Sequence, residues 1–529
     1  MYDLLFLDAE LYDGTGAPAR RGDLAVAGDR IAALGRLPSR RARRVIRCEG
    51  RALAPGFIDI HSHSDYHLLI NPLAESKVRQ GVTTEVGGNC GYAAAPISGP
   101  ALEERSKTYR DLYGLDHGWE ELSDYLARLE GAGISVNYVA LAGHNTVRAS
   151  AMGGADRPPT AEELEAMGAA LERAMEQGAF GLSTGLIYPP ACFASREELV
   201  ALAKVAARRG GILTAHMRSE GDALLEAVEE VLEVSRGAGI PLQISHLKTA
   251  GERNWNKLEG AFHLIEEARA GGQDVTCDRY PYLASNAGLG ACLPHWVHEG
   301  SLADKTQRLT DPECRARIRA DILAEHPEPE YWDLIVISHL TLPQNKGYEG
   351  LSLRAAAARA GQEPLEFMLD LLAAECMNVE ALMFVMCEEN LRVILRKPYV
   401  MVGSDAGARA HYGPLSEGCP HPRGFGTFPM VLGRYVRELG LLNLSQAIRK
   451  MTWDPARRLG LERRGKLAPG FAADLVLLDP DRVADLASYE APRRYPAGID
   501  LVAVNGKLTV EGGEHLGARA GRALRKGVP

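Results

Sequence analysis

Pro55-Gly56-Phe57-Ile58-Asp59-Ile60-His61-Ser62-His63-Ser64-Asp65 is the stretch on which the fold of this chain turns. The alternation of Phe57, Asp59, His61 and His63 with Ile58 and Ile60 predicts a β-strand whose two imidazoles leave on one side, about 6 to 7 Å apart. Two imidazoles on one face can share a metal ion. A Pro-Gly entrance, a short apolar strand and a His-x-His exit are also what a barrel needs to place ligands at the carboxyl end of its first strand, where such barrels carry out chemistry. A bare His-x-His more often marks polar residues ending a strand, so the rest of the chain has to decide.

Outward from this stretch, strand-then-helix units repeat. Candidate strands fall at 57–63, 83–88, 135–143, 179–185, 211–217, 241–247, 274–282 and 399–405, mostly followed by helical stretches such as Ala161–Gly178 and Ala223–Gly237. Eight such units predict an α/β protein built as a (β/α)₈ TIM-like barrel over residues 55–462. Residues 1–54 and 463–529 have a different texture, short apolar runs broken by Gly and Asp turns, which reads as β-hairpins. Neither end is long enough to bury a core alone, so the two are expected to pair as one small β-sandwich domain. A stretch from about 284 to 350 breaks the rhythm and is read as an excursion over the barrel mouth.

Composition narrows the class. The formal net charge of −9 argues against a nucleic-acid surface, and no apolar run approaches the length needed to span a bilayer. The first residues are interrupted by acids and lack a basic start, which argues against a signal peptide. Nine cysteines, an odd number with no Cys-x-x-Cys pair, fit reduced thiols. The expected location is the cytoplasm.

Polar residues recur where the candidate strands end. The second runs into Gly87-Gly88-Asn89-Cys90-Gly91, the fifth ends in His216, the sixth in Ser245-His246-Leu247-Lys248, and the eighth in Ser404-Asp405. Imidazole and thiolate are the ligands a borderline cation such as Zn²⁺ prefers, and three protein ligands with an open position mark a catalytic site.

These residues, with His144 in Gly143-His144-Asn145 and the tail Gly470-x-x-Ala473-Asp474-Leu475, resemble the amidohydrolase superfamily and, within it, the N-acyl-D-amino-acid deacylases. Many amidohydrolases bridge two metals with a carboxylated lysine on strand four. Strand four here, from Ala179 to Tyr188, has no lysine, and Cys90 is the substitute the deacylase branch uses. The resemblance implies that Cys90, His216 and His246 hold a tight Zn²⁺, with His61 and His63 at a second, weaker position. It implies that Asp405 is the general base, taking a proton from the attacking water and passing it to the leaving nitrogen. It assigns Arg423 to the substrate α-carboxylate, a task suited to a planar bidentate donor. Tyr188, Lys248, Tyr280 and Ser285 are its other substrate contacts. Strand alternation independently puts Lys248 on the side of His246 and Asp405 on the side of Met401 and Gly403. His339, in Ser338-His339-Leu340, mimics the sixth strand's ending but lies in the excursion and is left out.

The expected partner is therefore a small N-acyl amino acid, with no nucleic acid and no membrane. The expected reaction is zinc-dependent hydrolysis of its amide. A cyclic amide hydrolase of the dihydropyrimidinase or hydantoinase kind, or a dipeptidase, would use the same fold and metal chemistry. Arg423 argues against the cyclic option, because a cyclic ureide has no free carboxylate. A barrel that lost its metal and serves as a scaffold should show gaps among the ligands, and none is missing.

Overall fold

The computed structural model describes residues 1–39 and 42–528. Eight parallel strands form the barrel: Phe57–Asp59, Val82–Gly87, Asn137–Ala140 with its continuation Ala142–Gly143, Gly181–Gly185, Ile212–His216, Leu242–Ile244, Val275–Arg279 and Val400–Val402. Each pairs with the next. A parallel bridge between Ser62 and Ala406 joins the last to the first. Helices such as Ala161–Glu176, Arg196–Arg208 and Leu224–Ala238 lie between strands, and their starts are chemically marked. Thr160 and Glu163 form a reciprocal capping box, and Ser195 caps the next helix by accepting from the Glu198 amide. The lower barrel interior is closed by Ile58, Val86, Val139, Ile212 and Met401 against Leu459, so chemistry is confined to the upper end.

The strands are shorter than the alternation predicts. The first stops at Asp59 rather than residue 63, the sixth at Ile244 rather than 247, and the eighth at Val402 rather than 405. The physical reason is that the residues beyond these points leave the ladder: Ile60 and His61 form a bend, and His246 and Asp405 take positive φ values of 34° and 51°. Phe57 stacks on Phe428 among the surrounding helices, whereas Ile58 packs in the barrel interior. Extended alternation would therefore have pointed His61 outward; the bend turns it in.

The two chain ends share one continuous nine-stranded sheet with its own core of Leu4, Phe6, Leu24, Leu53, Leu475 and Leu501. Ala52–Pro55 pairs antiparallel with Leu475–Leu478, which joins the two ends. The N-terminal part is not hairpins throughout: Ala42–Arg47 and Ala52–Pro55 both run parallel to Tyr2–Leu11. The last strand, Ala523–Leu524, leaves the sheet and pairs with Asn137–Ala140 of the barrel.

The excursion leaves after the seventh strand and carries a three-stranded antiparallel sheet, Ser285–Gly288, Glu380–Met383 and Ile335–His339. Its own core contains Leu289, Trp332, Ile337, Leu353, Phe367 and Leu372. It thus extends past residue 380, beyond the expected end near 350. The helices Leu353–Ala360 and Pro364–Ala374 have the apolar spacing of any amphipathic helix, which does not reveal whether they pack on the barrel or on the excursion. No described helix is long and apolar enough to cross a membrane.

Candidate active site

The sharpest turn at the barrel mouth follows the second strand. Gly88 and Gly91 both have positive φ, and a Cβ on either would lie 2.2 Å from the Leu141 carbonyl oxygen or 1.8 Å from Asn145 Oδ1. Only glycine fits at both, so the backbone is free to swing Cys90, itself at φ 52°, over the barrel axis. Asn89 ties the turn by donating to the Val86 carbonyl at 2.8 Å.

Around Cys90 the expected ligands converge. Its Sγ lies 3.3 Å from His61 Nε2 and 3.7 Å from His246 Nε2, and His246 Nε2 is 3.0 Å from His216 Nδ1. Cys90, His216 and His246 can each place one ligand atom within 4.8 Å of the others. So can His61, His63, Cys90 and Asp405, which makes Cys90 common to both groups. Cys90 Sγ, His216 Nδ1 and His246 Nε2, a buried thiol and two imidazole nitrogens turned toward one another, are the donors Zn²⁺ prefers, and the residues fit the ion.

The thiol is poised for this. Burial disfavours the Cys90 thiolate, but the charge on His61 and hydrogen bonds from His216 and His246 outweigh it and hold the thiol well below its ordinary range. His61 is oriented by Asp278, whose Oδ1 lies 3.0 Å from Nδ1 and also accepts the His246 amide at 2.9 Å. Gln243 fills the other oxygen of Asp278 at 2.8 Å. This arrangement leaves His61 Nε2 for the centre of the site. On the opposite side Glu220 lies 2.9 Å from His246 Nδ1 and pairs with Lys248, which is itself 2.7 Å from the same nitrogen.

Asp405 bridges this cluster to the cavity. Its Oδ1 is 3.0 Å from His63 Nε2 and 3.3 Å from His61 Nε2, while Oδ2 is 2.8 Å from Arg423 Nη1. Burial opposes its charge, yet Arg423, His246 and His61 hold the carboxyl well below the usual carboxylate range. Arg423 is buried, and its guanidinium lies 4.5 Å above the Tyr280 ring, which Lys248 also approaches at 5.8 Å. Burial pushes the Tyr280 phenol up, but Lys248, Arg279 and Arg423 outweigh that and lower it, the signature of a cation-rich pocket suited to an anion.

The cavity holding these groups has a volume of about 870 Å³ and is lined by His63, Cys90, Tyr188, Asp405 and Arg423 from the barrel and by Asn286, Leu293, Lys305 and Met377 from the excursion. The Tyr188 ring lies 4.8 Å from that of His216. Ser285 sits in the excursion ladder opposite Met383, and its neighbour Asn286 lines the cavity instead. Lys248 shares a side with His246, although through the backbone turn at His246 rather than strand alternation. His144 is away from the cluster, bonded to Thr184 and Glu198. His339 lies 3.7 Å from Glu349 within the excursion. Sequence reasoning missed Glu220 and Asp278. Both had a signal: Asp278 is the polar end of the seventh strand, and Glu220 follows His216 by four residues.

Comparison with known proteins places this geometry. The amidohydrolase family matches residues 44–510. A D-aminoacylase from Alcaligenes xylosoxydans xylosoxydans is 37% identical over 531 residues, covering 99% of this chain and 98% of that protein. An N-acyl-D-glutamate deacylase from the same organism is 38% identical over 504 residues, covering 95% and 93%. Among solved structures, N-acyl-D-glutamate deacylase from Bordetella bronchiseptica, complexed with zinc and a phosphonate mimic of the tetrahedral intermediate, is 36% identical, with a TM-score of 0.84 over 99% of both chains.

Proposed function

This chain belongs to the amidohydrolase family, and on that premise we propose that it is a zinc-dependent deacylase that hydrolyses N-acyl-D-amino acids to a carboxylate and a D-amino acid. The observation that carries the reading is the junction of the two clusters. Cys90, His216 and His246 form a buried donor set, and grouped with the same Cys90 through His61 and His63 lies a carboxylate, Asp405, whose other oxygen faces a buried arginine.

Cys90, His216 and His246 would hold the ion, with His61 and His63 at a second position. Zn²⁺, when bound, supplies a Lewis acid and brings the ionisation of water close to neutral pH. Asp405 accepts the proton of the attacking water, the water oxygen adds to the acyl carbon, and the same proton goes to the amide nitrogen as the C–N bond breaks. Arg423 grips the α-carboxylate and thereby fixes the scissile amide relative to Asp405. Tyr188 lines the approach, Tyr280 and Lys248 lie buried behind Arg423 and His246, and Asn286, next to Ser285, contributes to the pocket wall from the excursion. A hydantoinase-type substrate has no free carboxylate to offer the Arg423 fork, which disfavours the cyclic reading. The D configuration is supported by the names of the two Alcaligenes relatives described above, both of which specify it. Nine free thiols support a reducing cytoplasm as the working compartment.

Purified enzyme assayed against paired N-acetyl-D and N-acetyl-L amino acids with apolar, acidic and aromatic side chains, and against hydantoins, tests this directly. Turnover confined to D-configured linear amides is expected. A preference for L substrates or for the cyclic ureides would refute the reading.

A further inference from the structure

Lys77 is completely buried in the short helix Glu75–Val78, and nothing in the chemistry above uses it. Its Nζ lies 2.7 Å from Asp59 Oδ2, 2.7 Å from Ser404 Oγ and 2.7 Å from the Ala406 carbonyl oxygen. An ammonium has three N–H donors, and all three are taken. Glu85 adds a second carboxylate at 3.5 Å.

Two of the three acceptors belong to the residues on either side of Asp405. Asp405 itself sits at φ 51°, a left-handed conformation that a residue with a Cβ adopts only when its surroundings impose it. The surroundings here are specific. Ser404 is held by its amide to Asp59 Oδ1 at 2.8 Å, the Asp405 amide donates to the His61 carbonyl at 2.8 Å, and Lys77 clamps both flanks. This is also the seam of the barrel, where the first and eighth strands meet through the Ser62–Ala406 bridge and not through a regular ladder. A buried ion pair is a poor way to gain stability, since a well-packed apolar pair does as well. What it does supply is a fixed direction. Lys77 does not line the cavity, so it meets no substrate.

We infer that Lys77 is a positioning residue for the reaction: by tying Ser404 and Ala406 to Asp59 it holds the backbone turn that aims the Asp405 carboxylate at the metal cluster. The inference rests on the reading of Asp405 as the general base. Lys77→Met should keep its zinc and hold KM within about threefold while kcat falls on the order of 10²-fold, the scale for a catalytic group displaced by about 1 Å. Ser404→Ala, which removes one flank and leaves the Lys77–Asp59 pair, should lower kcat about tenfold in the same pattern, and it decides the question if Lys77→Met does not fold.

Asp405→Asn and the double variant Lys77→Met/Asp405→Asn complete the set. If Lys77 acts through Asp405, the double variant is no slower than Asp405→Asn alone. Wild-type kcat in Ser404→Ala or a folded Lys77→Met, a loss that tracks zinc content, or fully additive losses would overturn the role of Lys77 and leave the base assignment standing. An active Asp405→Asn would overturn the base assignment and this inference with it.

Discussion

Cys90 belongs to two clusters that differ in what surrounds them. On one side, Cys90, His216 and His246 are all buried, rise from the ends of the second, fifth and sixth strands, and are backed by the Glu220–Lys248 pair. On the other, His63 is 32% exposed at its side chain and Asp405 is shared between two imidazoles and Arg423. The first cluster turns two imidazole nitrogens and a low thiol toward one another; the second already has its charges answered by protein groups and opens onto the cavity. Under the proposed reaction the difference amounts to a division of labour: the closed side would retain an ion, while the open side would handle the proton and the substrate.

The strongest way to break this contrast is Cys90→Ala. Two imidazoles retain Zn²⁺ far less well than a mixed set of three, so the variant should lose its zinc and with it on the order of 10³-fold or more of turnover. Elemental analysis of the purified protein decides it; full zinc content would remove Cys90 from the closed side. Next in size, Asp405→Asn should keep the zinc and lose about 10²-fold or more in kcat, because the isostere lacks the basic oxygen. Zinc retained with near-normal kcat would mean that another group takes the proton.

Arg423→Ala tests the open side from the substrate's direction. It should lower kcat/KM for free-acid substrates by about 2 to 3 kcal/mol, the scale for losing a charge-assisted pair, with Lys a poor rescue. The same change carries a pH signature. Arg423 is the largest of the groups that lower the Asp405 carboxyl against its burial, so without it the carboxyl rises and the acid limb of the rate profile moves to higher pH. An unmoved limb would uncouple the pair. The smallest effect is expected of His63→Ala: zinc retained on the closed side and a loss of roughly tenfold, since the partly exposed imidazole touches Asp405 and stands outside the Cys90–His216–His246 set. Zinc loss in that variant would erase the distinction between the two sides.

How each residue became visible follows from its chemistry. His61, His63, Cys90, His216, His246 and Asp405 stand out because a polar ligand-type side chain ending an apolar strand is conspicuous, and a barrel collects its strand ends in one place. Glu220, Asp278 and Lys77 carry comparable weight in the structure but resemble ordinary helix or loop residues when read along the chain. Lys77 and Ser404 are 327 positions apart, and no local pattern pairs them. Periodicity of two and of 3.6 determined the barrel and which polar residues end its strands, because those depend on residue type and spacing within single elements, while the reaction class came from the resemblance those residues carry. Tertiary packing decided the bend that turns His61 inward, the left-handed turn at Asp405, the place of Asn286 in the cavity wall, and the reach of the excursion past residue 380. Each of these depends on contacts between segments far apart in the chain, where backbone conformation is set by what packs against it and not by its own sequence.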